Sequence, residues 1–295
     1  MRALLVLLSA VFMLSGCTKE VKLVSTSAAQ EPLRVEEEAT VELRLSETDL
    51  VKYVDADTGV WTEARNAGLI KVFNKILNRN IVLVPVAGMT PLGQKPQVGL
   101  TELVTGELPA SETIVQAREN LWLLAGGRAL AGVKRMIDRK DFGGELTLVE
   151  ALEPIEKDYD FVIVDTSPGW DPLTVNVLFY VYELITPVSL EVMTLQGLVE
   201  FLKSLSSIQK YRTEVTLNYI LPTFLDKRIK NPDAILEKLK DLYGEYVCTP
   251  IRYNVRLSES PAYGKTIFEN APGSHGSQDY RDLVRKITGR PELFA

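Results

Sequence analysis

Short runs of consecutive apolar residues alternate along this chain with longer stretches whose apolar positions recur at helical spacing. That is the pattern of strands buried on both faces and separated by helices. The central run is residues 161–164 within the stretch DFVIVDTSPGWD. It is too short for a helix, so it is predicted as a strand, with Asp165 at its carboxyl end. Thr166, Ser167, Pro168 and Gly169 make a turn. Asp171 and Pro172 then stand as N-cap and first residue of a helix through Thr174, Val175, Val177 and Leu178.

Upstream, residues 50–54 are predicted as a strand, Asp57-Thr58-Gly59 as a turn, and Ala67, Leu69, Ile70, Phe73, Ile76 and Leu77 as a helical stripe leading to a strand at 81–86. The Gly- and Pro-rich stretch 88–99 is loop. Residues 100–104 and 114–118 are predicted as short helical pieces, 121–125 as a strand, and Thr147 as the cap of a helix through Leu148, Leu152 and Ile155. Downstream, strands at 184–188 and 215–221 flank a helix carrying Leu195, Leu198, Phe201, Leu202, Leu205 and Ile208. Asn231-Pro232 opens another helix, 246–251 is the last strand and 280–287 the closing helix. The expected fold is α/β, a doubly wound, mainly parallel sheet with helices on both faces, forming one domain over residues 49–295.

The amino terminus reads differently. Met1 to Cys17, MRALLVLLSAVFMLSGC, has one early Arg, an apolar run and small residues before a cysteine, the layout of a secretory signal. Its end, LSGC, resembles the bacterial lipobox, which implies a lipidated Cys17 and a membrane-anchored lipoprotein. The alternative is a buried apolar helix starting at residue 1 and a cytoplasmic protein. Residues 18–48 are polar and read as a tether or weakly ordered arm.

With 295 residues, 46% of them hydrophobic, the chain can bury one substantial core, and a net charge of −6 argues against bulk electrostatic attraction to nucleic acid. The sole histidine excludes a multi-histidine metal site, and if Cys17 is lipidated Cys248 has no partner for a disulfide or a cysteine-based metal site. Cys248 reads as core, and His275, in GSHGS, as a solvated loop residue.

Five segments in order carry a family resemblance: VGLTELVTGELPASETIV, NLWLLAGGRALAG, YDFVIVDTSPGWDPLTVN, ITPVSLEVMTLQGL and NVRLSESPAYGK. From about Val98 onward the chain resembles the ParA/MinD family of deviant-Walker P-loop ATPases, closest to its Soj-like partition branch. The resemblance implies that Asp165 is the Walker B acid, holding magnesium through water, with Mg-ATP as cofactor. Read from the residues alone, Asp165 equally serves as a carboxylate capping backbone amides at a strand end. The resemblance also lays residues 250–254, with Pro250, Arg252 and Asn254, against the adenine, although the family's usual Pro-Arg is here Arg252-Tyr253. A structural loop in which Arg256 pairs with Glu259 is the other reading of that segment.

The family's phosphate loop, KGGxGK followed by Ser or Thr, is missing. Its glycines admit backbone amides to phosphate and its lysines neutralise charge. Laid on the family pattern, the loop falls on residues 57–64, leaving Gly59 and Thr62 as the nucleotide-binding candidates, with Trp61 and Glu63 in place of loop residues and no lysine. Charge-assisted hydrogen bonds contribute about 1.5 to 3 kcal/mol each, so triphosphate binding should be weak or absent. The acid that follows the family's next strand is also missing, because this chain has Val84-Pro85-Val86-Ala87-Gly88-Met89 there.

Three functions follow as alternatives. One is a ParA-like homologue that has lost hydrolysis and acts as a binding or scaffold protein. A second is a working partition ATPase, which the resemblance would make a homodimer with a centromere-binding partner and non-specific DNA. Its DNA face would be the segment with Lys203, Lys210, Arg212, Lys227, Arg228, Lys230 and Lys240, or these are an ordinary solvated face interleaved with acids. The third is a chimeric chain whose first ninety or so residues replaced the family's own.

Overall fold

The computed structural model describes residues 4–8, 81–85, 96–126, 130–166, 170–190, 192–226 and 232–290. Eight strands form one sheet in the order β3-β4-β2-β5-β1-β6-β7-β8. They are β1 (Leu4–Leu8), β2 (Ile81–Pro85), β3 (Ile114–Arg118), β4 (Leu121–Leu124), β5 (Phe161–Thr166), β6 (Glu183–Ser189), β7 (Thr216–Leu225) and β8 (Ile251–Arg252). Every neighbouring pair is parallel except β3 with β4. The described helices are α1 (Leu100–Thr105), α2 (Ala110–Thr113), α3 (Leu130–Asp138), α4 (Thr147–Glu156), α5 (Pro172–Tyr180), α6 (Val192–Gln209), α7 (Pro232–Tyr243), α8 (Val255–Glu259), α9 (Ile267–Asn270) and α10 (His275–Thr288).

Burial on both faces explains the unbroken apolar strands. Successive side chains of β5 point to opposite sides. Val162 and Val164 therefore join a core with Leu152 of α4, Val177 of α5 and Leu198 of α6, while Ile163 joins a second core with Ile185, Leu221 and Tyr280 and Leu283 of α10. The doubly wound, mainly parallel α/β fold expected from the sequence is the fold observed.

Several element boundaries differ from expectation. Residues 114–118 are not helical but form the edge strand β3, joined to β4 by a two-residue turn in which Asn120 takes φ 57°. Asparagine tolerates that left-handed conformation, which a tight hairpin requires. Thr147 is the first residue of α4 rather than its cap, and its hydroxyl donates to the Gly144 carbonyl at 2.8 Å. The last strand is shorter than residues 246–251: Val247 makes one bridge to Ile220, and ladder pairing resumes only at Ile251. Pro250, which lacks an N–H to donate, interrupts it. His275 lies not in a loop but at the first turn of α10, exposed, with Ser274 as N-cap. Helix α3 had no counterpart among the expected elements.

The largest difference is at the amino terminus. Leu4–Leu8, expected within a cleaved signal or a helix, is a strand at the centre of the sheet, paired with β5 on one side and β6 on the other. Residues 50–54, expected as the strand of the first βαβ unit, lie outside the described residues, as do Cys17 and the arm at 18–48.

Candidate functional site

Chain direction through the sheet marks one place for chemistry. From the central strand β1 the chain crosses to β2 on one side, and from β5 it crosses over β1 to β6 on the other. In open α/β sheets ligands collect at such a switch point, outside the carboxyl ends of the strands. Asp165 stands there, in register with Leu7 of β1 and Pro85 of β2. Its carboxyl group lies at the strand tip expected for it, and the residue is only 6% exposed. Thr166, in register with Leu8, is also buried. As consecutive strand residues the two side chains leave the sheet on opposite faces, so the Asp165 carboxylate stands at the strand tip without Thr166 beside it. Among the described residues no group of three or more His, Cys, Asp or Glu side chains could hold a metal directly.

Beyond the turn, Asp171 caps α5 as its sequence predicts, accepting from the amides of Leu173 at 3.0 Å and Thr174 at 2.9 Å. It also accepts from Lys134 Nζ of α3 at 2.5 Å. Burial pushes the Asp171 carboxyl up, but the Lys134 ammonium and the two capping amides outweigh it, and the group titrates below its ordinary range. This pair ties α3 to the start of α5 beside the Asp165 strand. The sequence gives no signal for it, since the partners are 37 residues apart.

The residues expected against an adenine lie on the same carboxyl edge, but four strand spacings away, roughly 19 Å from Asp165 at about 4.8 Å per strand. Their side chains serve the fold. Arg252 Nε donates to both Asp279 oxygens at 3.1 Å, its Nη2 to Oδ1 at 2.5 Å, and its backbone N–H to Oδ2 at 2.9 Å. The hydrogen bonds of Asp279 hold the guanidinium above its ordinary range, against the opposing effect of burial. Asn254 is the N-cap of α8, accepting from Arg256 N–H at 2.9 Å, and Arg256 pairs with Glu259 at 3.0 Å. Pro250, half-buried, precedes β8. Tyr253, standing where the family has Arg, packs against Phe224 with ring centroids 6.4 Å apart.

Gly59 and Thr62 lie outside the described residues. The strand next to Asp165 is instead β1, and the sequence that follows it, Ser9-Ala10-Val11-Phe12-Met13-Leu14, has neither glycine nor lysine. Gly16 and Lys19 come next, and neither this stretch nor residues 57–64 spells KGGxGK. Of the basic residues considered for a DNA face, Lys203 pairs with Glu200 at 3.1 Å. Arg212 lies over the Tyr182 ring at 5.0 Å and donates to the Tyr180 carbonyl at 3.3 Å. Lys227, Arg228 and Lys230 fall outside the described residues. Cys248 is core, as expected, and burial pushes its thiol up to about 12.

Comparison with known proteins agrees with this geometry. A family model described as an AAA domain matches residues 68–218. The chromosome-partitioning ATPase Soj of Thermus thermophilus is 32% identical over 201 residues, 68% of this chain and 78% of that protein. The sporulation initiation inhibitor protein Soj of Bacillus subtilis is 34% identical over 145 residues, which covers 48% of this chain but only 57% of the relative. Among solved structures, cobyrinic acid a,c-diamide synthase from Mycobacterium smegmatis with bound ADP and magnesium superposes with TM-score 0.64 at 24% identity, over 81% of this chain and 95% of that one. An ATP complex of Cyanothece McdA gives TM-score 0.70 at 15% identity, over 82% and 96%.

Sheet order, Asp165 and these likenesses define the fold as that of P-loop nucleoside triphosphatases. Within that class the chain belongs to the ParA/MinD family. The family match starts at residue 68, some thirty residues before the first resembling segment and beyond residues 57–64.

Proposed function

We propose that this ParA-family chain is a binding or scaffold protein that does not turn over ATP. The observation that carries the reading is that residues 9–14, which follow the strand beside Asp165, contain neither glycine nor lysine, while residues 57–64 also lack lysine. Phosphoryl transfer depends on positioned charge and amide dipoles around the phosphates. Asp165 by itself supplies a carboxylate for hydrated magnesium and nothing for the triphosphate. The engagement of Arg252 with Asp279 and of Asn254 with α8 supports the same reading, because these side chains are committed to the fold.

Phosphate release from ATP and magnesium, followed with the full chain and with Asp165→Ala, tests this. Equal background rates are expected. Magnesium-dependent turnover that disappears in the variant would refute it.

The second reading is a partition-type ATPase that forms an ATP-dependent homodimer and works with non-specific DNA and a centromere-binding partner. It is favoured by the relative named a chromosome-partitioning ATPase. Sedimentation separates the two, since only the second reading expects ATP to shift monomer to dimer.

A further inference from the structure

Leu4–Leu8 has two incompatible uses. As part of MRALLVLLSAVFMLSGC it has the composition of a segment removed before Cys17. In the structure it is hydrogen-bonded on both sides. Leu4, Leu5, Val6, Leu7 and Leu8 pair with the five residues from Val162 to Thr166, and Leu5, Val6 and Leu7 pair with Glu183, Leu184 and Ile185. Among the described residues β5 and β6 do not pair directly, and β1 is the strand that joins these two parts of the sheet.

Removing β1 would leave a gap of two strand spacings, about 9.6 Å, at the centre of the sheet. The inner edges of β5 and β6 would then present unpaired N–H and C=O groups, where pairing is otherwise obligatory. Both strands are deeply buried: Ile163, Val164, Leu184 and Ile185 are each 0% exposed. Backbone groups there have no water to turn to. A strand in this position is an integral part of the core, unlike an edge strand or a terminal extension.

We propose that the folded protein retains its amino terminus, because Leu4–Leu8 is its central strand, and that folding of the sheet and lipoprotein processing at Cys17 exclude each other. Leu4–Leu8 then serves the sheet through its backbone pairing, and Cys17 is not the point of membrane attachment. This goes beyond the reading of the nucleotide site and does not rest on it: the strand is required whether or not ATP is hydrolysed.

The test uses the full chain expressed in a bacterium with an intact lipoprotein pathway. Intact-mass measurement of the folded protein should find Cys17 unmodified and residues 4–8 present. Cys17→Ser, which removes the acylated sulfur and leaves the strand untouched, should leave the distribution between membrane and soluble fractions unchanged. Hydrogen exchange should show the amides of Leu4–Leu8 slowed to the same degree as those of Val162 to Val164. Val6→Pro, which deletes an amide at a residue paired on both sides, should speed exchange in β5 and β6 together by at least tenfold. A folded species beginning at a lipidated Cys17, with β5 and β6 still protected, would overturn the proposal, and so would a shift of the protein out of the membrane fraction on Cys17→Ser. Unchanged protection in Val6→Pro would also overturn it, since another segment would then hold the central place.

Discussion

Arg252 at the end of the last strand and Asp279 in the closing helix make a bidentate pair that also secures the strand's own backbone, with Nη2 to Oδ1 at 2.5 Å and Arg252 N–H to Oδ2 at 2.9 Å. The Asp279 side chain is 4% exposed, so its charge is solvated almost entirely by Arg252 and that amide. Two residues join β8 to the sheet, and β8 is held as much by this helix as by its ladder. Arg252→Ala leaves a buried carboxylate with one amide. We expect a loss of about 2 kcal/mol, the order of a charged hydrogen bond left unmade. Urea unfolding of Arg252→Ala and of Arg252→Ala/Asp279→Ala measures it. The double variant should be the more stable of the two, because it carries no orphaned charge.

The Lys134–Asp171 pair predicts acid sensitivity. Asp171 titrates below its ordinary value of 3.8 in the folded protein. Its contribution is therefore complete above that value and is lost as pH falls through the lowered folded value. Asp171→Asn keeps a good capping side chain but removes the charge. Unfolding midpoints between pH 2 and pH 5, about a unit or two either side of the ordinary carboxylate pKa, should fall less steeply for the variant than for the parent. Parallel profiles would show that the ammonium contributes nothing.

Much of this architecture was legible because central parallel strands are apolar on both faces. Residues 161–164 and 81–86 show as unbroken runs, 184–188 as a run broken only by Thr186, and Asp171-Pro172 announces the start of α5 by side-chain chemistry alone. What was hidden has physical reasons. The edge strand β3 is half-buried and five residues long, too short for its period to be distinguished from a helical turn. Leu4–Leu8 is as apolar as a signal and as apolar as a core strand, and only its partners distinguish them. The ion pairs at Lys134–Asp171 and Arg252–Asp279 join residues 37 and 27 apart, beyond the reach of any local pattern. Asp165 was legible as a position, because a strand's carboxyl end follows from where its apolar run stops.

Asn176 shows how a buried polar residue can lock α4, α5 and the turn at Gly144 together. It is 0% exposed, and its amide nitrogen donates to the carbonyls of Gly144 and Pro172 at 3.0 Å while its oxygen accepts from Leu148 N–H at 3.1 Å. Those contacts fix α4 against α5 on the helix layer behind β5. Asn176→Leu is of similar volume but orphans the Leu148 amide, while the Gly144 carbonyl keeps the Thr147 hydroxyl. A loss of about 2 to 3 kcal/mol is expected in chemical denaturation. The loss should appear as a lower midpoint at unchanged slope.

Gly99 is required for space, not for its backbone conformation. Its φ of −178° is extended and open to any residue. A Cβ there, however, would stand 2.1 Å from the Ala125 carbonyl oxygen and 2.9 Å from its carbon. That carbonyl accepts from Leu100 N–H at 2.7 Å, and the Glu102 carboxylate reaches back to Gly99 N–H at 2.7 Å, so α1 begins in contact with the end of β4. Neither side can yield without losing a hydrogen bond. Gly99→Ala should therefore push α1 away from the sheet, uncover Leu100, which is 0% exposed, and cost about 1 to 3 kcal/mol as overpacking does. Gly132, inside α3 with nothing within 4 Å of an added Cβ, supplies the opposite case. Gly132→Ala removes backbone freedom from the unfolded chain at no steric cost and should stabilise by roughly 0.5 to 1 kcal/mol. Thermal unfolding of the two variants should move in opposite directions, and a stabilised Gly99→Ala would show that α1 does not start against Ala125.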